Sequence, residues 1–537
     1  MTMQAFGLSC QGGLNTNLNQ FQMLQQPGFA TELQNFEVDP DGGYRRINGY
    51  TLYGGGSAAR PNSSNGILGL FVYGDGLIAC SGTNIYFSLD GTSWLQINRS
   101  SVSGSGDNYS TFTGRSTAAR TSQGQASFAL YEGSSTYGEV VITDKGSGVK
   151  PALFKMTGTG ALSDRTFFYE EITVSSTHYP KFCTIHDKHL VVAGAATAPN
   201  TIYYSGTSDI NDFTSSGSGS IVLDDQVVGL KSFRGDLIIF CKNSIYKLSD
   251  INISASIAIT PITQNVGCLD GQSIQEIGGD LIFLSPDGLR TVAGTARIGD
   301  VELSSVSRQI QSIVSKIAGS IDTYTISSAV LRSKSQYRLF YSASSGSTST
   351  SKGLIGTITP NGFEWSETIG IQAHGFTSGF DNDSVEQIYH GDKDGYVYNH
   401  NTGNDFNPAG TQTNIDARYK TPNLDFGDAG TLKTLHYTKI SFTPEGTVQP
   451  TLKITYDFDD TNRPQPPVYT MDSIPTPAVF GDSTFNTAVF GASQDPMARQ
   501  AVQGSGHNVA FKVYSQDTRA PYSINGIYVD YRPSGRR

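Results

Sequence analysis

The stretch Ile221–Leu248, IVLDDQVVGLKSFRGDLIIFCKNSIYKL, decides the fold. A polar turn, Ser232 to Asp236, precedes the apolar run Leu237-Ile238-Ile239-Phe240-Cys241. A second turn, Lys242-Asn243-Ser244, leads into the alternating Ile245-Tyr246-Lys247-Leu248. Short β-branched and aromatic runs bounded by Gly, Asp, Asn and Ser form antiparallel strands joined by tight turns. The phrase recurs. Gly76–Cys80 leads to Thr83–Ser88, Asp187–Val192 to Asn200–Ser205, and Gly279–Leu284 to Asp287–Arg290. Fainter copies lie at Ser127–Ile142, Gln336–Tyr341, Gln387–His390 and Asp394–Tyr398. The copies start roughly 45 to 55 residues apart, the period of a four-stranded propeller blade. One small sheet cannot bury both its faces, whereas a ring of sheets packs face to face. The expected fold is all-β: a β-propeller of about six or seven blades over residues 61–410.

Composition agrees with many short strands and turns. The chain has 537 residues, 60 of them Gly, with 16% charged and 11% aromatic residues. This excludes a helical bundle and global disorder. The net charge of −10 lacks the basic signature of a protein that grips nucleic acid through its phosphates. An acidic wall, by contrast, repels phosphate and lets a nucleic acid slide past. The five cysteines, Cys10, Cys80, Cys183, Cys241 and Cys268, are odd in number and lack metal-ligand spacing. They are expected reduced, which fits assembly in a reducing cytoplasm. The start, MTMQAFGLSCQGG, has no secretory pattern.

Residues 1–60 depart from the repeat. Leu14–Gln26 is Asn/Gln-rich and reads as an extended arm. Thr31–Val38, the turn Asp39-Pro40-Asp41-Gly42-Gly43 and Tyr44–Ile47 then read as a hairpin. Ser100–Gln125 reads as an exposed loop. Val301–Ile321, with apolar residues at Val306, Ile310, Ile313, Val314 and Ile317, is the best helix candidate, and Gly319 marks its stop. From 411 to 537 the runs Arg418–Phe426, Lys433–Phe442, Thr451–Phe458, Asn508–Tyr514 and Ser523–Tyr531 alternate as in a separate antiparallel β-sandwich. A long loop, 463–506, interrupts it and repeats Ala-Val-Phe-Gly at 478–481 and 488–491. A loop of that length is functional or disordered.

Motifs with chemical associations have plainer readings here. Ser88-Leu89-Asp90-Gly91-Thr92-Ser93-Trp94 resembles a shortened Asp-box, a structural turn of propeller blades. Arg234-Gly235-Asp236 spells an adhesion tripeptide but falls on the inter-strand turn of the repeat. Asp381–Ser384 and Asp392–Gly395 carry oxygens of the kind Ca²⁺ takes, without the spaced ligands and closing Glu of a full loop. The histidines are scattered; His186 and His189 flank a turn and read as surface or turn residues. No nucleotide, zinc or thiol-redox motif is present, so no catalytic, cofactor-binding or metal residues are expected and the chain reads as a non-enzyme.

Three phrases carry a resemblance: GGLNTNLNQFQMLQQPGFATELQNFEVDPDGGYRRINGY (Gly12–Tyr50), IYYSGTSDINDF (Ile202–Phe213) together with the opening stretch, and RYKTPNLDFG (Arg418–Gly427) with the final GIYVDYRP. They resemble the tail nozzle, or tail tubular protein B, and the packaged-DNA stabilisation proteins of short-tailed double-stranded DNA phages. The resemblance implies a virion tail protein, assembled in the host cytoplasm as a homo-oligomer, expected to be a hexamer. It would meet a tail adaptor ring above, and tail fibres where these dock. Packaged double-stranded DNA would be retained and then passed through its channel without sequence-specific binding. The departures from the repeat supply the candidate subunit contacts or gate: Phe21, Tyr44, Arg45, Arg46, Ile310, Ile313, Phe480, Phe485 and Phe490. Two other readings fit a propeller, a host-glycan-binding spike or fibre protein and a sialidase-like glycosidase.

Overall fold

The computed structural model describes residues 2–40, 42–98, 124–133, 137–146, 148–175, 177–252, 256–293, 305–343, 346–474 and 497–536. It is almost entirely β. Among the described residues, five four-stranded sheets and one three-stranded sheet form the six blades of a propeller core. The first four strands of a nine-stranded sheet, Tyr324–Leu331 to Gly362–Ile369, fill the remaining sector of the ring. The blade cut from the opening stretch contains Val227–Phe233, Asp236–Cys241, Ile245–Ser249 and Ala258–Thr263, paired in chain order.

The apolar run in each repeat is continuous because its strand is buried on both faces. In Asp236–Cys241, Leu237, Ile239 and Cys241 point into the core shared with the preceding blade. Ile238 and Phe240 point into the core shared with the next sheet. Period-two alternation thus feeds two hydrophobic cores from one strand. Five inter-blade cores of this kind follow around the ring.

The N-terminal residues close the ring. Tyr50–Leu52 pairs with Val397–His400 as the outer strand of the last blade, whose other strands come from residues 375–400. The sandwich is not a separate sheet, as its alternating strands suggested. Glu32–Gln34 lies between Gly362–Ile369 of the propeller and Ile415–Lys420 of the C-terminal unit, so one sheet runs through both. The facing seven-stranded sheet holds Phe36–Val38, Tyr44–Arg46, Thr431–Pro444 and Tyr522–Arg536, with Gln4–Ser9 along the last of these.

The expected arm is only partly extended: Gln20–Met23 is a short helix with a capping box on Asn19, and Leu14 and Met23 are buried. The helix expected over 301–321 is observed at Gln311–Gly319, after a 3-10 turn at Arg308–Ile310, with Ile310, Val314 and Ile317 in the large core. Residues 301–304 and most of the Ser100–Gln125 loop lie outside the described residues.

Candidate functional site

Two places concentrate polar side chains: the junction of propeller and sandwich, and the propeller hub. At the junction, the chain passes Gly12 and Gly13 with φ of 92° and 72°. A Cβ on Gly13 would fall 2.8 Å from the backbone N and O of Trp365, so glycine is required there. Leu14 N–H donates to the Trp365 carbonyl at 2.7 Å, and Tyr44 Oη donates to the Gly28 carbonyl at 2.8 Å.

The next hairpin carries the densest charge cluster. Glu37, buried, accepts from Arg45 Nη1 at 2.7 Å, Lys334 Nζ at 2.7 Å, Gln336 Nε2 at 3.1 Å and Arg338 Nη2 at 2.9 Å. Burial alone would raise its pKa, but Lys334, Arg338 and Arg45 together hold it down to about 2. Arg338 Nη1 donates to His400 Nε2 at 2.9 Å, and His400 Nδ1 lies 3.1 Å from His390 Nδ1. Since the guanidinium can only donate, His400 carries its proton on Nδ1 and passes a hydrogen bond to His390. Burial drops His390 to about 3, and burial together with His390 and Arg338 drops His400 well below the usual range. Both rings are therefore neutral.

Arg46 is wholly buried. It donates to the carbonyls of Asp517 at 2.7 Å and Asn404 at 3.2 Å, and also to that of Arg519, while its guanidinium lies 3.4 Å from the Asp517 carboxylate. Arg45 also clamps Glu445 of the sandwich, with Nη2 to Oε2 at 2.7 Å. Each charge in this cluster faces another, from the buried Glu37 and Arg338 out to the partly exposed Lys334 and Glu445. Its effect is to lock hairpin, blade and sandwich together.

The hub is a cavity of about 190 Å³ lined by the innermost strands of every sector. Side chains cross it. Gln125 Nε2 donates to the Ile326 carbonyl at 2.7 Å while its Oε1 accepts from Lys145 Nζ at 3.2 Å, and Lys145 pairs with Asp270 at 2.8 Å. Gln272 Nε2 donates to the Ala126 carbonyl at 3.0 Å, and Ser328 Oγ to the Gln272 carbonyl at 2.6 Å. His374, 8% exposed, is lowered to about 4 by burial and then by Lys393. Burial also lowers Lys231, against the pull of Glu276. This bore is far too small for a nucleic-acid duplex.

The residues singled out in the sequence fall in different settings. Tyr44 and Arg46 are fully buried and Arg45 is half-buried, all on one hairpin within the chain's own fold. Ile310 is buried and Ile313 half-buried in the large core. The helix stripe and the hairpin thus face inward, because their apolar residues complete the large core. Phe21 is 80% exposed. Phe480, Phe485 and Phe490 lie outside the described residues. Sequence reading missed Glu37, Lys334, Arg338, His390 and His400. The available signal was a charge at an inward position, Arg338 within the apolar strand Gln336–Ala343 and Glu37 between Phe36 and Val38.

The other motifs resolve as structure. Asp90 caps its turn through Thr92 N–H at 2.9 Å, and Trp94 Nε1 donates to the Ala59 carbonyl at 2.9 Å. Arg234 and Gly235 form a left-handed turn with φ of 52° and 82°. Asp381 accepts from the backbone N–H of Asp383 and Val385, and Asp392 from those of Asp394 and Tyr396. Among the described residues no group of three or more His, Cys, Asp or Glu is arranged to hold a metal. His186 and His189 are buried rather than on the surface, because each bonds an inter-strand partner, Ser232 at 2.9 Å and the Ser205 carbonyl at 2.6 Å. All five cysteines are buried and none forms a disulfide.

No protein-family model matches the chain, and no curated protein does. Among solved structures it is similar to an exo-β-1,3-galactanase from Phanerochaete chrysosporium at 9% identity and a TM-score of 0.27, over 90% of this chain and 100% of that one. It is also similar to the Pan2 WD40 domain of Neurospora crassa at 8% identity and a TM-score of 0.36, over 67% of this chain and 96% of that one. Likenesses this slight carry no functional argument.

Proposed function

We propose that the chain is a structural subunit of a short-tailed phage tail, a nozzle component whose copies assemble into a ring around a DNA channel. The observation that carries the reading is the course of the N-terminal segment that bears the longest resembling phrase. That segment pairs with the sandwich, lies between sandwich and propeller, and closes the last blade. A wall that contains packed DNA has to resist deformation, and a sheet shared between two units together with a buried ion cluster supplies that resistance. The narrow hub bears on how such a ring works. DNA does not thread a single subunit, so the channel belongs between copies. The net charge of −10 suits a conduit that repels phosphate rather than gripping it. Negative-stain images of purified protein or of virions test the reading. The expected result is a sixfold ring with a central channel at the distal part of the tail. A monodisperse monomer, even with neighbouring tail proteins present, would overturn it.

A further inference from the structure

We infer that copies of this chain join head to tail by seating Phe458 of one copy in the hollow beside Phe363 of the next; the inference rests on the ring reading above. Phe458 is 59% exposed at the tip of a turn in which three successive residues, Asp457, Phe458 and Asp459, have φ of 50°, 63° and 61°. Left-handed backbone is disfavoured for any residue with a Cβ, most of all for a bulky one, and persists only where its surroundings fix it. Here they do. The Asp457 carboxylate accepts from the N–H of His507 at 2.8 Å and of Asn508 at 3.1 Å, and pairs with Arg463. Gln465 bonds both the N–H and the carbonyl of Tyr456, at 2.8 and 3.2 Å. The fold thus holds an apolar ring rigidly in solvent, a geometry that loses little entropy on docking.

The hollow that fits it has a volume of about 530 Å³ and is bounded by Gly12, Gln26, Phe29, Gln309, Asn361 and Phe363. Two aromatic rings supply apolar walls. Gln309 lines one edge, with its own side-chain oxygen buried beneath the surface. Register places both features. Glu367 aligns through Gln34, Arg418 and Tyr514 with Thr451, so Phe363 and the 457–459 turn leave the same end of the nine-stranded sheet. Four strand steps separate them, about 19 Å. The ring therefore cannot fill its own hollow, whereas a neighbouring copy displaced sideways can.

Charge favours a second copy as the occupant. Exposed Asp459 flanks the apolar ring, and exposed Arg308 flanks Gln309 at the hollow. Complementary surfaces at different places on one molecule give a head-to-tail contact, which closes into a ring when the rotation allows. Exposed Phe21 sits on the short helix that is tied to the same end of the sheet, where Gln20 Nε2 donates to the Asn423 carbonyl at 2.9 Å.

Cysteine pairing tests this directly, because the native cysteines are all buried. Phe458→Cys and Asn361→Cys are made in separate full-length chains, mixed and oxidised. The expected result is a cross-linked heterodimer in the mixture, no cross-link in either variant alone, and a ladder from the double variant. Sedimentation velocity over a concentration series is the second measurement: Phe458→Ser is expected to weaken association at least about tenfold, as loss of a central aromatic anchor does. Asp459→Arg and Arg308→Asp are each expected to weaken it, and their combination to restore it. Self-linking of a single variant, or a ring that survives Phe458→Ser with no cross-link in the mixture, overturns this contact and leaves the ring reading intact. A wild-type chain that stays monomeric throughout overturns both.

Discussion

The blade hairpin at Val227–Ser249 and the N-terminal segment that ends at Leu52 solve the same problem in opposite ways. The hairpin holds its neighbours mainly with apolar side chains, Leu237, Ile239 and Cys241 on one face and Ile238 and Phe240 on the other, with polar side-chain links from Ser232 to His186 and from Arg234 to the Gly279 carbonyl at its turn. Apolar contacts are non-directional, so the unit can be repeated around a ring with little concern for which blade meets which. The N-terminal segment meets unlike neighbours, namely a blade, a sandwich and the end of the ring. It fixes them with directional contacts, through Glu37, Arg45, Arg46, Arg338 and His400. A unique joint rests on a dense set of specific bonds; a repeated one rests chiefly on apolar packing.

The largest effect that would break this comparison is at Glu37. Glu37→Ala leaves Arg338 and Lys334 buried against each other and is expected to cost about 3–5 kcal/mol. Urea unfolding followed by both tyrosine fluorescence and circular dichroism is expected to show propeller and sandwich separating into two transitions. Leu237→Ala in the blade is expected to cost about 2–5 kcal/mol through its cavity, with one transition retained. If both variants behave alike, the contrast between joint and blade fails.

Acid sharpens the same point. Glu37 is held at about 2, below its unfolded value, so its contribution is complete above that value and is lost as pH falls toward 2. His390, held at about 3 by burial, acts in the same direction: the unfolded chain gains its proton first, so stability falls as pH drops below about 6.5. Thermal melts are therefore expected to show falling stability from pH 6.5 downward. In Glu37→Gln the loss between pH 4 and 2 is expected to be shallower. A smaller effect is expected in the hub, where Gln125→Ala removes a clasp worth about 1 kcal/mol and speeds hydrogen exchange along Ala126–Tyr131. Smallest of all is Arg234→Gly. It removes a side chain from left-handed backbone and is expected to change stability by no more than about 0.5 kcal/mol, as befits a turn.

Much of the fold was legible because apolar periodicity is a local property. The run Leu237–Cys241 and its copies announced strands buried on both faces, and their spacing announced a ring. The helix at Gln311–Gly319 was legible through Ile310, Val314 and Ile317, although among the described residues Ser305–Ser307 are not helical and Arg308–Ile310 form a 3-10 turn. The junction was not legible. Glu37 contacts residues nearly 300 positions away, and an isolated charge in a strand has the same spelling whether it faces water or Arg338. The hollow near Phe363 was equally hidden, since its walls come from three distant parts of the chain.

By itself, then, the sequence determined the secondary structure, the repeat and the acidic character, because each depends on neighbours in the chain and on side-chain type. Only the tertiary structure decided that Tyr44, Arg46 and Ile310 face inward and that Phe458 stands out in solvent. It also decided that one sheet runs from propeller into sandwich. Burial and pairing register are set by contacts between residues far apart in sequence, and no local pattern encodes them.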